Sequence, residues 1–557
     1  MKYWLGAIVA FAIVSSGIVA QALTPAEIAA IHEQVGYNQL KAVLGDDLPI
    51  GSGVPITQVE APSNPGAPNP IYFPNTTAGE FQIGSDPSSP PQAVTFNDAS
   101  GGAANGTSTH ATNSVGQFFY GNTTSFAPGA NTVTVYETEH WLDNVLNMNG
   151  PAPDPHDFRV ANFSWIGSFG SETVPDDAAN AQALGRFDYL IDNNNITALV
   201  GVNKYDNTPP ALLSHSLNAI AVGIRTGANP TNPTQSFYYP GRNKPDLISP
   251  GVAPSETTAH VSSAATMLHE SGAGTDAAKS ETMKAILMAG AVKTGLTSWD
   301  QTTTEPLDET YGAGEMNIYN SYVIQAGGKY PGSLTQPASP VGIDGWDYRT
   351  SLQNAPLYYN FEVPAGSTAT ELSIILTWNA KVTDGAASGF QPVVKLDNLN
   401  LHWYDSSTSF LGTEIVSEAS VSTVDNVEHV YLTGLTAGTY TLEVTNLTFG
   451  GNRDFGLAWR METQFTTPSA DFNNDGKVNG LDYLAWQGGY RTLTGASHSN
   501  GDADGDGDVD DDDLAIFNAS FGQPLVSVPT QLTVPEPSTF GLFASGLAVL
   551  YFCRRFQ

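Results

Sequence analysis

The chain has 557 residues, with 55 acidic against 21 basic side chains and a formal net charge of −34. That excess excludes nucleic acid and anionic membrane surfaces as partners and suits a soluble chain in a cation-rich setting. A single cysteine, Cys553, excludes a disulfide framework, and the length allows several domains, one with a large core.

Lys2 and an apolar run from Trp4 to Val14, closed by Ala20-Gln21-Ala22, read as a cleaved signal peptide over 1–22, with a retained N-terminal anchor as the rival. Thr24-Pro25-Ala26-Glu27 is a capping box with proline at the first helical position, and it predicts a helix ending near Gly45. A strand is expected over Gly51–Ala61. Its Glu60, taken alone, is a solvated carboxylate at a strand end. Pro, Gly, Asn and Ser then dominate to about Gly106, the composition of a surface excursion.

His110-Ala111-Thr112-Asn113-Ser114-Val115-Gly116 follows, in which His110 by itself reads as structural or merely exposed. Strands are predicted at Val160–Trp165, Ile196–Asn203 and Asn218–Gly223, with Asn203 alone a turn residue at a strand end. Lys244–Gly251 reads as a strand and loop feeding a tight turn. A helix then opens near Ser255, with Val261, Ala264, Ala265 and Leu268 on one face. Ser255 has two readings. It is an ordinary N-cap, or an exposed hydroxyl at a helix mouth whose free N–H groups can hold a developing oxyanion. A helix over Glu281–Val292 closes this region. Strands alternating with helices predict a mostly parallel sheet covered by helices on both faces.

Taken together these blocks resemble the subtilisin-like serine peptidases (subtilases). Gly241-Arg242, Lys244-Pro245-Asp246, Pro250-Gly251 and Ser255 with Ala259-His260-Val261 are similar to the family's nucleophile region and put Ser255 at the nucleophile position. Ala253, Pro254 and Glu256 stand where the family has Gly, Thr and Met. His110–Gly116 resembles H-G-T-H-V-A-G, Val160–Trp165 resembles the cleft strand V-x-N-x-S, and Tyr311–Gly314 fits a Y-G-x-G ending. The resemblance implies Glu60 as the acid in place of the family's Asp, His110 as the base and Asn203 as the oxyanion donor. It covers roughly Leu23 to Gly328, so 23–330 is assigned as the peptidase domain. The segment from Leu23 to Glu60 is too short for the folded pro-domain that such enzymes carry.

Over 331–465 short alternating strands such as Leu357–Val363 and Gly438–Val444, separated by Gly, Asn and Asp turns, predict a β-sandwich. The stretch Asp425–Val444 resembles the jelly-roll-like domains appended to secreted bacterial peptidases. His402 and Trp403 read as strand residues.

Two acidic loops follow within 466–523. Asp471, Asn473, Asp475, Gly476, Asn479 and Asp482 take positions 1, 3, 5, 6, 9 and 12 of an EF-type loop, and Asp502, Asp504, Asp506, Gly507, Asp510 and Asp513 repeat the pattern. Alternating hard oxygen ligands around a glycine turn lead to an expectation of about two calcium ions. An acidic linker is the alternative. Asp at the last position, and a helix only after each loop, resemble a type I dockerin, which implies a cohesin-like partner.

The last segment, 524–557, carries Val534-Pro535-Glu536-Pro537, an apolar run from Phe540 to Phe552, and Arg554-Arg555. The run is short for a permanent span. Its arrangement resembles the PEP-CTERM sorting signal, which implies a sortase-like processing enzyme; a plain anchor is the alternative. The expectation is therefore a modular protein exported across the inner membrane to the envelope, surface or medium. It would be a serine endopeptidase with a Ser-His-Glu triad, acting on peptide or protein. The competing expectation is an inactive subtilase fold serving as a calcium-dependent binding or structural module.

Overall fold

The computed structural model describes residues 23–82, 93–171, 174–202, 212–226, 236–386, 389–448, 451–465, 468–473 and 477–522. The signal segment, Asn203, Asp475 and the sorting tail lie outside them. Seven short strands make one wholly parallel sheet: β1 (Ile56–Glu60), β2 (Thr95–Asp98), β3 (Thr132–Glu137), β4 (Val160–Phe163), β5 (Thr197–Gly201), β6 (Ile220–Ile224) and β7 (Leu247–Ser249). Their order is β2-β3-β1-β4-β5-β6-β7. Strands β1 and β4 to β7 are buried at every position, because helices cover both faces.

Among the described residues, six helices of eight residues or more belong to this body: α1 (Pro25–Gln34), α2 (Tyr37–Leu44), α3 (Asp177–Asn194), α4 (Pro254–Ser271), α5 (Ser280–Ala289) and α6 (Ile318–Gly327). On one face Val133, Val160, Leu199 and Ile220 pack with Val261, Ala264, Ala265 and Leu268, the stripe expected of α4. On the other, Val59, Phe163 and Val200 pack on Trp141 and Leu142 and on Phe187, Leu190 and Ile191 of α3.

Four local expectations change. The N-terminal helix is broken at Gly36, whose φ of +75° turns α2 onto α6. A Cβ at Gly36 would lie 2.8 Å from Asn317 Oδ1. The segment before Gly106 is not all loop, since β2 extends the sheet beside β3. Helix α4 starts at Pro254, so Ala253 is the N-cap and makes no side-chain cap, which removes the N-cap reading of Ser255. Finally α6, unforeseen, docks between α5 and the next domain.

That domain is antiparallel: β8 (Asp344–Ser351), β9 (Leu357–Thr377), β10 (Leu399–Asp405), β11 (Thr413–Glu414), β12 (Val427–Leu432), β13 (Leu435–Asn446) and β14 (Arg453–Phe465). The long β9 passes through two leaves. Its first half pairs with β13 and, through it, β10; its second half lies between β14 and β12. Both leaves share one core, with Tyr359, Phe361, Trp403 and Leu442 meeting Ile374, Leu457 and Trp459. The outer face of the second leaf presses on α5, where Ile375, Val427 and Ala458 join the core of the parallel body.

The C-terminal unit pairs α7 (Gly480–Gly489) with α8 (Asp511–Ser520) over Phe472, Val478, Trp486, Val509 and Phe517. Asn479 with Asp482, and Asp510 with Asp513, form capping boxes that start the two helices.

Candidate functional site

Strand order reverses beside β1: the chain first adds β2 and β3 on one side, then crosses to β4 on the other. Loops leaving β1 and β4 therefore diverge at the carboxyl ends of these strands, the place where open α/β sheets hold their ligand crevice. Glu60 is the last residue of β1. Ser164 follows the end of β4. His110 opens a π-helical stretch, His110–Gly116, that runs into Gln117–Tyr120 and packs on α4. Ser255 is the second residue of α4 and sits at the same crevice.

The fold joins the three. His110 Nδ1 is hydrogen-bonded to Glu60 Oε1, and His110 Nε2 lies 2.9 Å from Ser255 Oγ. A carboxylate only accepts, so Nδ1 carries the proton and Nε2 is left to accept from the serine hydroxyl. Burial presses the imidazolium pKa down. The charge and hydrogen bond of Glu60 outweigh that pressure and hold it above the ordinary 6.5. Glu60 is 1 % exposed, so its charge acts with little solvent screening.

One partner of Glu60, and a second residue that holds that partner, were not foreseen. Gln58 Nε2 donates to Glu60 Oε2 and to Ala111 O, each at 3.1 Å, and Tyr120 Oη donates to Gln58 Oε1 at 2.6 Å. Gln58 precedes Glu60 by two on β1 and so shares its face. Gln58 is fully buried in the strand Ile-Thr-Gln-Val-Glu, which the sequence by itself does not reveal.

Around the serine, β4 and α4 are stitched by hydrogen bonds. Ser255 Oγ lies 3.2 Å from Ser164 O, Ser164 Oγ lies 3.0 Å from Ser255 O, and Asn162 Nδ2 donates to Ser262 Oγ at 2.9 Å. Pro254 has no N–H, and the N–H groups of Glu256 and Thr257 both turn back to Ala253 O at 3.1 Å. The N–H of Ser255 is thus the donor that the helix mouth offers. His260 Nδ1 donates to Pro250 O at 3.1 Å, and burial drives its pKa down to about 3, so a neutral ring anchors the Pro250-Gly251 turn. Glu256, 4 % exposed, accepts the Val252 N–H at 3.5 Å and clamps the same turn from the other side. The proposed oxyanion residue Asn203 lies outside the described residues, two positions past the end of β5.

The second acidic loop is ordered by its own backbone. Asp502 accepts the N–H groups of Gly505 and Gly507 at 2.6 and 3.1 Å, and Asp513 those of Ala503 and Asp510 at 2.6 and 2.8 Å. Carboxylate oxygens of Asp502, Asp504 and Asp506 lie within 4.8 Å of one another, as do those of Asp508, Asp510 and Asp513. Burial, with added repulsion from neighbouring carboxylates, pushes Asp502 up to about 7 and Asp506 to about 8. Gly507 supplies the turn with φ +92°. This donor set suits a hard divalent cation. In the first loop, Asp482 accepts the Asn473 and Asn479 N–H groups at 3.2 and 2.9 Å, and Asp471 is buried, while Asp475 lies outside the described residues.

Residues 533–555 match the PEP-CTERM protein-sorting motif, which marks export and a cell-envelope or surface location. Among the described residues no helix is long and apolar enough to cross a membrane. By structure the chain aligns with a serine protease of Aeromonas sobria at 13% identity and TM-score 0.31, over 74% of this chain and 88% of that one. It aligns with MycP1 from Mycobacterium smegmatis at 12% identity and TM-score 0.30, over 56% and 86%. A pre-peptidase C-terminal domain of a Bacillus anthracis collagenase aligns at 12% identity and TM-score 0.16, over 23% and 99%. No curated protein matches the chain by sequence.

Proposed function

We propose that the parallel-sheet body is a serine endopeptidase exported to the cell envelope or surface. One observation carries this: an unbroken hydrogen-bond path from buried Glu60 through His110 to Ser255, three residues remote in sequence and joined at the sheet's reversal point. Ser255 Oγ attacks a peptide carbonyl as His110 Nε2 takes its proton, and His110 then returns the proton to the leaving amine. Glu60 holds the imidazole in the working tautomer and stabilises the imidazolium. The Ser255 N–H is the proposed oxyanion donor, and the amide of Asn203, outside the described residues, is the proposed second. A fluorophosphonate probe tests this directly. Purified protein should label covalently, and Ser255→Ala should abolish both labelling and peptide hydrolysis. Folded wild-type protein that stays inert would leave a binding or structural role as the better account.

The acidic loops are proposed as a dockerin-like module for two calcium ions with a cohesin-like partner. The tail is proposed as the substrate of a sortase-like enzyme. Intact-mass measurement of surface protein should then find Arg554 and Arg555 missing, and a full C-terminus would mean a permanent anchor.

A further inference from the structure

The second acidic loop does not stand free. Thr463 Oγ1 of β14 donates to Gly505 O, and a Cβ at Gly507 would lie 2.0 Å from Ile343 Cδ1 beside β8. Tyr319 of α6 reaches the loop as well, its Oη donating to Asp508 Oδ2 at 3.1 Å. Where the parallel body, the antiparallel domain and the loop meet there is a cavity of about 270 Å³, lined by Tyr319, Asp344, Arg460, Glu462, Asp506 and Asp508 among others.

Two carboxylates from different domains face this cavity in the same way. Asp344, 5 % exposed, has Oδ2 held by the Thr494 hydroxyl at 2.6 Å, and its Oδ1 is buried without a hydrogen-bond partner. Asp508 has Oδ2 held by the Tyr319 hydroxyl, and its Oδ1 is likewise buried without a partner. Arg460 is the one cation in the lining; it is paired with Glu462, faces Glu371 at 4.0 Å, and its charge also acts on Asp344. Two carboxylates that line a cavity roomy enough for several waters, each with one bare oxygen buried beside it, suit a hard cation that keeps part of its hydration. Asp508 holds position seven of the loop, where an EF-type loop uses the backbone carbonyl, so the loop ion does not require its side chain, which also lies within 4.8 Å of the Asp510 and Asp513 carboxylates.

We propose a calcium site that bridges the three units, with Asp344 Oδ1 and Asp508 Oδ1 as its protein anchors. It is separate from the ion proposed within the loop, and it ties the C-terminal module to the body. The test is calcium titration of the full chain in metal-free buffer, read by calorimetry and by melting temperature. Asp344→Asn should bind one ion fewer than wild type, or bind that ion at least tenfold more weakly. Asp508→Asn should do the same. The double variant should lose one ion, not two, because both side chains hold the same one. Calcium should raise the melting temperature of Asp344→Asn less than that of wild type, and without calcium the variant should melt no lower.

If Asp344→Asn binds as many ions as wild type with an equal calcium-induced rise, the cavity holds a proton or water and the bridge is overturned. Loss in Asp508→Asn without loss in Asp344→Asn assigns the ion to the loop and also overturns it. Asp502→Asn reports the loop ion by itself. If it binds as wild type does while Asp344→Asn still loses an ion, the bridge stands and the loop site falls.

Discussion

Glu60 carries one methylene more than an aspartate, and Gln58 fixes where that extra length goes: one carboxylate oxygen faces His110 and the other faces the Gln58 amide. Replacing the charge while keeping the shape, Glu60→Gln, is expected to lower kcat by about ten-thousand-fold, as the matching change does in a Ser-His-Asp triad. Glu60→Asp should keep part of the activity. The sign of the pH dependence follows from the same contact. Glu60 raises His110 above 6.5, so the base is freed only at higher pH, and kcat/KM should climb through a midpoint above 6.5. In Glu60→Gln burial acts unopposed and this midpoint should move down; an unmoved midpoint would mean that another group titrates. Glu60, His110 and Ser255 were legible because each sits in a local motif whose register can be counted. Gln58 and Tyr120 were not, because their bond joins a strand to a helix far along the chain, with no local spacing to reveal it.

At the scale of elements, the turn Pro250-Gly251 decides where α4 begins and therefore where Ser255 points. A Cβ at Gly251 would lie 2.8 Å from Thr257 Cγ2, within the first turn of α4. Gly251→Ala is expected to cost about 1–3 kcal/mol and to slow probe labelling, checked by urea titration and labelling rate. Three buried histidines, His260 and His269 on α4 and His429 on β12, are pushed far below the ordinary range by burial, the first two to about 3. Their folded pKa values lie below the unfolded 6.5, so their contribution is complete above 6.5 and is lost as pH falls toward the folded values. The loss reaches about 1.4 kcal/mol per pH unit for each ring. Glu281, raised to about 7 chiefly by burial, acts in the opposite sense, and its contribution is lost as pH rises from its unfolded value through 7. His269→Gln, which can still bond Thr197 Oγ1, should therefore give a shallower fall of melting temperature between pH 6.5 and 4.5 than wild type. An equal slope would mean that this ring is already charged in the fold. Periodicity found α4 because one stripe faces the sheet. It missed α6 because Ile318 to Ser321 and Val323 to Gln325 are all buried, leaving no polar face to set the period. Strand β2 escaped because it is a half-exposed edge strand, Thr-Phe-Asn-Asp, inside turn-rich sequence.

At the scale of the molecule, the alternation of strands and helices announced the parallel body, and the change to short alternating strands announced the antiparallel domain. Their union was not legible, since it rests on an absence of side chain: a Cβ at Gly456 of β14 would lie 2.5 Å from the Glu281 and Thr282 backbone of α5. The contact is sealed by Thr377 Oγ1 donating to Glu281 O at 2.6 Å and by Asn426 Nδ2 donating to Leu217 O at 2.8 Å. Gly456→Val should force these surfaces apart, because helix backbone cannot yield as a side chain can. A loss of about 3 kcal/mol is expected, with two urea transitions where wild type, its two surfaces joined, is expected to show one.

The docking of α1 and α2 onto α6 sets a timetable. Ile318 N–H bonds Val35 O at 2.7 Å, and Gln34 Nε2 donates to Glu315 at 2.9 and 3.0 Å, so the first helices of the body, which also meet Thr124 and Phe126 through His32, are completed by some of its last residues. On the proposed function, a chain exported N-terminus first would deliver Glu60, then His110, then Ser255, and only afterwards the α6 segment that completes the packing of α1 and α2. Such long-range closure is slow to form. On the proposed function, hydrolysis would therefore wait for completion of the fold, and the export machinery would handle a chain that cannot yet cut it.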